Sequence, residues 1–412
     1  MQVIVENHLD FNKSEGGRLM QSLNGYWEGS IKIPNQPLLI SMELGTKGST
    51  LNIPIQGLNN HPVSRVEIDE SDKSTFFELN IDGIILTFEG QLSDNNRITG
   101  TFYQQGQHFP FELTKDEEAI KGDWIDLEVD GGVMRGKVEY PKGDAPFPVA
   151  IIISGSGPTD KDGNSKVIPG KNNSLKMVAE ELSAAGIASI RYDKRGVGVN
   201  QGLSEEEEEL RFDDYIKDAL SWIQYVQNDE GFSNVYVIGH SEGSLIGMIA
   251  SNREHVDAFV SLAGLGRPAS MLIRDQLKTQ LPDNLLKEAE SILDSLERGE
   301  TVDHYSPDLH NLFRHSVQPY LASWMVYDPK QELMKVDSKI LIINGTKDLQ
   351  VSVSDAEILH KANSNSKMFI IDGMNHILKE APEDAEANLA TYNNPDLPLM
   401  KTLMECIKDF LK

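Results

Sequence analysis

One stretch of the chain combines residue types and spacing suited to nucleophilic catalysis: Val235-Tyr236-Val237-Ile238-Gly239-His240-Ser241-Glu242-Gly243-Ser244-Leu245-Ile246. An apolar run of strand character leads into Gly-x-Ser-x-Gly and then into an apolar run of helical character. Gly239 and Gly243 remove Cβ atoms where strand and helix would crowd each other. The turn can then hold Ser241 in a strained conformation with its hydroxyl over the sheet. A serine hydroxyl of ordinary acidity is a poor nucleophile; it needs a base, which a carboxylate in turn orients. In a doubly wound sheet such partners belong at the carboxyl ends of later strands. The run Ile340–Ile343 is followed by a loop holding Asp348, and Met368–Ile371 by a loop holding His376. Asp355 and Asp372 are rival acids. Asp355 falls within a predicted helix, and Asp372 lies only four residues before His376, so Asp348 is preferred.

The elements that must position these residues alternate. From Asp123 onward, near-continuous apolar runs (Val149–Ile153, Ile187–Tyr192, Val235–Ile238, Ala258–Leu262, Ile340–Ile343, Met368–Ile371) read as strands buried on both faces. Helical patterns intervene at Leu175–Ala185, Phe212–Gln227, Ser241–Ser251 and Ala356–Ala362, and a last helix is predicted from about Leu397 to Leu411. With a hairpin, Trp124–Glu128 and Val133–Glu139, at the entry, the expectation is an eight-stranded, mostly parallel α/β sheet with helices on both faces. About 70 residues of helical pattern, 266–337, separate two of the strands where a short crossover would do. They are expected to form a helical cap over the site.

On the strand–turn–helix context of Ser241 and the chain order Ser241, Asp348, His376, residues from about 123 to 412 resemble the α/β-hydrolase superfamily. More narrowly they resemble bacterial serine esterases grouped with the serine aminopeptidase-like and dienelactone hydrolase-like families. The resemblance implies Ser241 as nucleophile, Asp348 as acid and His376 as base. It also puts an oxyanion hole at Ile153-Ser154-Gly155-Ser156-Gly157-Pro158, where relatives carry His-Gly-x-Gly. The expected donors are the backbone N–H groups of Ser156 and Glu242. Ser154 stands where many relatives have His. Cap residues Met271, Leu272, Tyr320, Trp324 and Met325 are expected to wall an acyl pocket. The Asp193-Lys194-Arg195-Gly196-Val197-Gly198 run resembles a structural loop of the same class and lacks the spacing of a dinucleotide fingerprint.

Before this region the pattern is β throughout. Short apolar-rich runs at Tyr26–Ile33, Leu38–Leu44, Leu51–Ile55, Val63–Ile68, Thr75–Ile81, Ile84–Phe88, Ile98–Phe102 and Phe109–Leu113 alternate with turn signals such as Asp82-Gly83 and Ser93–Asn96. A small antiparallel barrel or sandwich is expected, and Gly25-Tyr26-Trp27 resembles the start of lipocalin-like barrels, with Trp27 as a core plug. The acidic stretch Lys115–Lys121 reads as a linker, which gives domains 1–118 and 119–412.

Composition narrows the function. Thirty-eight Lys and Arg against 64 Asp and Glu give a net charge of −26 in 412 residues, a field that repels nucleic acid and anionic lipid. No run of 18 apolar residues spans a bilayer, and Met1–Asp10 lacks the pattern of a signal peptide, so a cytoplasmic location is expected. The single cysteine, Cys406, precludes a disulfide framework and a cysteine zinc site. Asp160-Lys161-Asp162-Gly163-Asn164 hints at a calcium loop, but its Gly is misplaced for one. Glu205–Glu209 reads as a solvated helix start, and His240 is given no catalytic part. No metal or cofactor is expected, and a homodimer is compatible with the sequence. The expected function is hydrolysis of short to medium acyl carboxylic esters through an acyl-enzyme on Ser241. A thioesterase or serine peptidase would use the same triad, and an inactive lipid- or small-molecule-binding protein is the remote alternative.

Overall fold

The computed structural model describes residues 23–412 except 35–36, 46–48, 54–57, 70, 82, 94–95, 116–122, 166–169 and 204–206. The expectations for the first ten residues, for nearly all of the linker and for parts of the Asp82-Gly83, Ser93–Asn96 and Glu205–Glu209 segments lie outside the described residues. The chain divides into two compact units, Met1–Lys121 and Gly122–Lys412.

The first unit is an antiparallel sheet of nine strands: β1 Gly25–Ile31, β2 Leu38–Leu44, β3 Thr50–Ile53, β4 Leu58–Pro62, β5 Arg65–Ile68, β6 Ser74–Ile81, β7 Ile84–Ser93, β8 Arg97–Gln104 and β9 Gln107–Lys115. Strand order is β4-β3-β2-β1-β9-β8-β7-β6-β5. The two ends of this order are consecutive in sequence, separated by Val63 and Ser64 alone. Val63 N–H still donates across to Ser49 on the β3 side, while Ser64 N–H donates to Glu78 of β6. β4 and β5 therefore act as one bent strand whose halves pair with different neighbours. That is why β1 and β9 can meet antiparallel. Alternate residues point inward, as strand geometry requires. Trp27, Phe77, Phe88 and Phe111 fill the interior, and the Trp27 indole N–H donates to the Leu23 carbonyl at 2.8 Å.

β4 was not expected. Leu58-Asn59-Asn60-His61-Pro62 lacks apolar alternation, contains two poor strand formers and ends in proline, so only its place at the sheet's edge makes it a strand.

The second unit holds an eight-stranded sheet: β10 Asp123–Val129, β11 Gly132–Glu139, β12 Phe147–Ile153, β13 Ala188–Tyr192, β14 Phe232–His240, β15 Ala258–Leu262, β16 Lys339–Gly345 and β17 Lys367–Ile371. The order is β10-β11-β13-β12-β14-β15-β16-β17; β11 runs antiparallel to both of its neighbours, β10 and β13, and every other pair is parallel. Side chains alternate between two apolar layers. Val149, Ile151 and Ile153 pack under the helices Phe212–Asn228 and Glu242–Arg253. Ala150 and Ile152 face Ser174–Ala184 and Lys401–Leu411. The last helix starts at Lys401 rather than Leu397, because Pro398 intervenes and Leu399 is engaged in a backbone bridge to Lys379. Between β15 and β16 the chain is helical, chiefly Ala269–Gln280, Asp283–Glu297 and Gln318–Met325. Among the described residues no helix is long and apolar enough to cross a membrane.

β12 has β13 on one side and β14 on the other, so the chain winds away from it in both directions. A sheet of this kind opens a crevice at the carboxyl ends of the strands beside such a switch point. Gly155 and Ser156 follow β12 there, and Ser241 follows β14.

Candidate active site

Ser241 sits between β14 and the helix Glu242–Arg253 with φ 55° and ψ −121°, outside the regions an ordinary L-residue occupies. Its N–H donates to the Leu262 carbonyl at 2.9 Å, which anchors the turn to the end of β15. The flanking glycines are demanded by space. A Cβ on Gly239 would lie 2.3 Å from the Gly243 carbonyl oxygen, and one on Gly243 would lie 2.3 Å from that of Ile153.

Asp348, past β16, and His376, past β17, are joined directly. His376 Nδ1 lies 2.8 Å from Asp348 Oδ2, and the other carboxylate oxygen accepts the N–H groups of Gln350 and Val351 at 2.8 and 2.9 Å. Both side chains are buried. With Nδ1–H donating to the carboxylate, Nε2 carries the lone pair that a base needs. The rivals are committed elsewhere. Asp355 is buried against Arg267, which donates to both its oxygens at 3.0 Å, and Asp372 accepts from the Thr346 hydroxyl.

His240, the residue before Ser241, lies against His376. Its Nε2–H donates to the His376 carbonyl at 2.8 Å, and the two rings lie 4.9 Å apart. Burial foremost, then the neighbouring His376, pushes His240 down to about 4, so its ring is neutral. Nδ1 of the same ring is buried with no hydrogen-bond partner among the described residues. As the variable residue of the Gly-x-Ser-x-Gly motif, His240 carries no sequence signal for this contact, and no part is expected of it from sequence alone.

The loop after β12 passes directly beside Ser241: a Cβ on Gly155 would be 3.1 Å from that of Ser241. Ser156 is exposed, and its carbonyl accepts from the Thr159 hydroxyl at 2.8 Å. Ser154 Oγ donates to the Thr159 carbonyl, so that side chain is occupied within its own loop. Glu242 opens the helix with its carboxylate fully buried. It accepts from Lys194 Nζ at 2.9 Å and from the Tyr320 hydroxyl at 2.6 Å. Burial and the Glu242 charge hold the Tyr320 phenol well above its ordinary range, so it remains a donor.

The cap residues separate. Leu272, Tyr320, Trp324 and Met325 are buried in the apolar layer, whereas Met271 is 47% exposed. Trp324 stacks on Phe212 with ring centroids 5.8 Å apart, and Tyr320 meets Tyr215 edge-on at 5.7 Å. In the Asp160–Asn164 loop, Asp160 accepts the N–H groups of Asp162 and Asn164. Among the described residues no group of three His, Cys, Asp or Glu side chains is arranged to hold a metal.

Residues 171–382 match the family described as serine aminopeptidase, S33. The chain is 30% identical over 287 residues to Esterase EstD of Thermotoga maritima, an alignment covering 68% of this chain and 66% of that esterase. It therefore spans slightly less than two thirds of that relative's length. Among solved structures, Est1E from Butyrivibrio proteoclasticus is 19% identical, with 71% of this chain and 98% of that one covered at a TM-score of 0.47. A bromoperoxidase from Bacillus anthracis is 18% identical, with 70% and 99% covered at a TM-score of 0.42.

Proposed function

The chain belongs to the serine aminopeptidase, S33 family of α/β hydrolases, and from that premise we propose that it hydrolyses carboxylic esters of short to medium acyl chain through an acyl-enzyme on Ser241. The observation that carries the reading is the 2.8 Å bond between Asp348 and His376, with His376 held against His240, the neighbour of a serine at φ 55°. In this mechanism Ser241 Oγ adds to the ester carbonyl carbon as its proton passes to His376 Nε2. Asp348 holds the imidazole tautomer and the charge that forms on it. The N–H groups of Ser156 and Glu242 receive the oxyanion. Collapse expels the alcohol, which takes the proton from His376. Water then adds to the acyl-enzyme, gives its proton to His376, and releases the acid and a restored Ser241.

With Tyr320 and Trp324 engaged in ring contacts, the acyl wall is proposed to fall chiefly to Leu272 and Met325, with Met271 at its rim. The same constellation would open a thioester or a peptide bond. The named activity of the Thermotoga relative favours the oxygen ester, and the family's description keeps a peptide substrate as the second reading.

A fluorophosphonate tests the nucleophile. One label per chain is expected, on the peptide containing Ser241. Ser241→Ala should abolish both label and ester hydrolysis at an unchanged melting temperature. A label on another residue, or full hydrolysis by Ser241→Ala, would end this reading.

A further inference from the structure

From sequence alone the run Asp193–Gly198 resembles a structural loop, yet Lys194 within it is buried against the segments that flank Ser241. It is 2% exposed, and its ammonium makes three contacts. It donates to Glu242 Oε1 at 2.9 Å and to the Gly155 carbonyl at 2.5 Å, and it lies 4.8 Å from the centroid of the Tyr215 ring. Glu242 and Gly155 come from the two segments that flank Ser241, one opening the helix after β14 and one in the loop after β12.

The Gly155 carbonyl shares a planar trans peptide with the Ser156 N–H, so the two point in opposite directions. An ammonium that fixes the carbonyl on one side fixes the N–H on the other. The same ammonium holds the Glu242 side chain, and so the first residue of the helix whose N–H is the second expected donor. Its charge also polarises the Gly155–Ser156 peptide and strengthens the N–H as a donor. A buried ion pair is a poor way to stabilise a fold, since hydrophobic side chains of similar volume often serve as well. Its position between the two donor segments gives it another use.

We propose that Lys194 is a positioning residue of the oxyanion hole, its ammonium tying the Gly155 carbonyl to the Glu242 carboxylate so that the Ser156 and Glu242 N–H groups are set for the charged oxygen. The inference rests on the serine-hydrolase reading above. Tyr320, donating to the second oxygen of Glu242 from the helix Gln318–Met325, makes the inserted helical segment part of the same brace.

Removing Lys194 alone would leave the Glu242 carboxylate buried and unpaired, which is strongly destabilising. The test therefore uses the double variant Lys194→Met/Glu242→Gln in the full chain, with the glutamine still able to accept from Tyr320. The readouts are kcat and KM for a short-chain ester, and the inhibition constant of an alkylboronic acid. Boron accepts Ser241 Oγ, the hydroxyl proton goes to His376, and the anionic adduct occupies the oxyanion hole. A folded double variant should lose about 10²-fold in kcat, the scale of one missing oxyanion donor, with KM nearly unchanged and the boronate weakened by a matching factor. Unchanged kcat and boronate affinity would overturn the proposal, as would a loss carried by KM with the boronate unaffected.

Should the double variant not fold, Lys194→Arg keeps the ion pair but replaces the point charge with a planar fork; on the order of a tenfold loss in kcat at constant KM is expected. No loss there would overturn the proposal. Fluorophosphonate labelling of the parent separates the two failures. An unlabelled parent defeats the serine-hydrolase reading, whereas a labelled parent with an indifferent Lys194 defeats only this inference.

Discussion

Among the described residues, the β unit buries Ser41, Asn52 and Thr75 as its polar side chains, none of them ionisable, whereas the α/β unit buries Lys194, Glu242, Arg195, Asp218, Asp355 and His376. Both units have apolar interiors that contain large side chains. An ionised group inside a protein loses its hydration and must recover it from fixed partners. The β unit avoids that cost altogether. In the α/β unit most of the buried charges come in pairs, as in Arg195 donating to both oxygens of Asp218, while Lys379 is held by the carbonyls of Asn172 and Asn394; several converge on the carboxyl ends of β12, β14, β16 and β17. Buried charge thus marks where orientation matters in this molecule, and its absence marks where packing alone suffices.

The largest expected effect that would break this comparison is at Asp348. Asp348→Asn keeps the shape of the site but favours the wrong imidazole tautomer, so kcat for ester hydrolysis should fall by about 10⁴-fold without loss of folding. Steady-state kinetics beside a thermal melt checks this. A loss below tenfold would move the orienting role to another carboxylate.

A smaller effect concerns a carboxyl away from the Asp348–His376 pair. Burial foremost, then the charges of Asp162 and Asp193, raises Asp160 to about 7 from an ordinary 3.8. The folded chain therefore binds this proton across a window in which the unfolded chain has lost it, and stability falls as pH climbs through that window. Asp160→Asn retains an acceptor for the N–H groups of Asp162 and Asn164 but cannot ionise. Its melting temperature relative to the parent should rise between pH 5 and 8. A difference that stays flat with pH would show that Asp160 does not carry this cost.

The smallest expected effect is none. If chemistry resides only where charge is buried, residues 122–412 alone should fold and hydrolyse a small activated ester with the parent's kcat/KM. A folded fragment without activity would give the β unit a share in catalysis.

What the sequence made legible was whatever repeats at short range. Alternation in Ser74–Ile81 and the unbroken apolar runs of β12 and β14 announce their strands, and Gly239-His240-Ser241-Glu242-Gly243 announces a turn too crowded for side chains. Short-range pattern fails where context decides. Leu58–Pro62 is a strand because β3 supplies a partner, and Leu399 is not helical because Lys379 does. The contacts around Ser241 were hidden for a related reason. Lys194 meets Gly155 and Glu242 across 39 and 48 residues of chain, and His240 reaches His376 across 136. Nothing in the local pattern of Asp193-Lys194-Arg195 separates an ammonium buried between Gly155 and Glu242 from one that lies in solvent.

The bent strand at Val63-Ser64 has a consequence for how copies of this chain meet. A sheet of nine strands laid open would present two long rows of unpaired backbone groups, each a template for adding a strand from another molecule. Here the rows belong to β4 and β5, of five and four residues. β4 ends in a proline, its His61 ring already reaches the Asn80 carbonyl, and β5 alternates Arg65 and Glu67 with its apolar residues. Short, charged and proline-ended borders of this kind discourage intermolecular pairing, so the β unit is built to stay out of fibrils and strand-swapped aggregates without help from a disulfide.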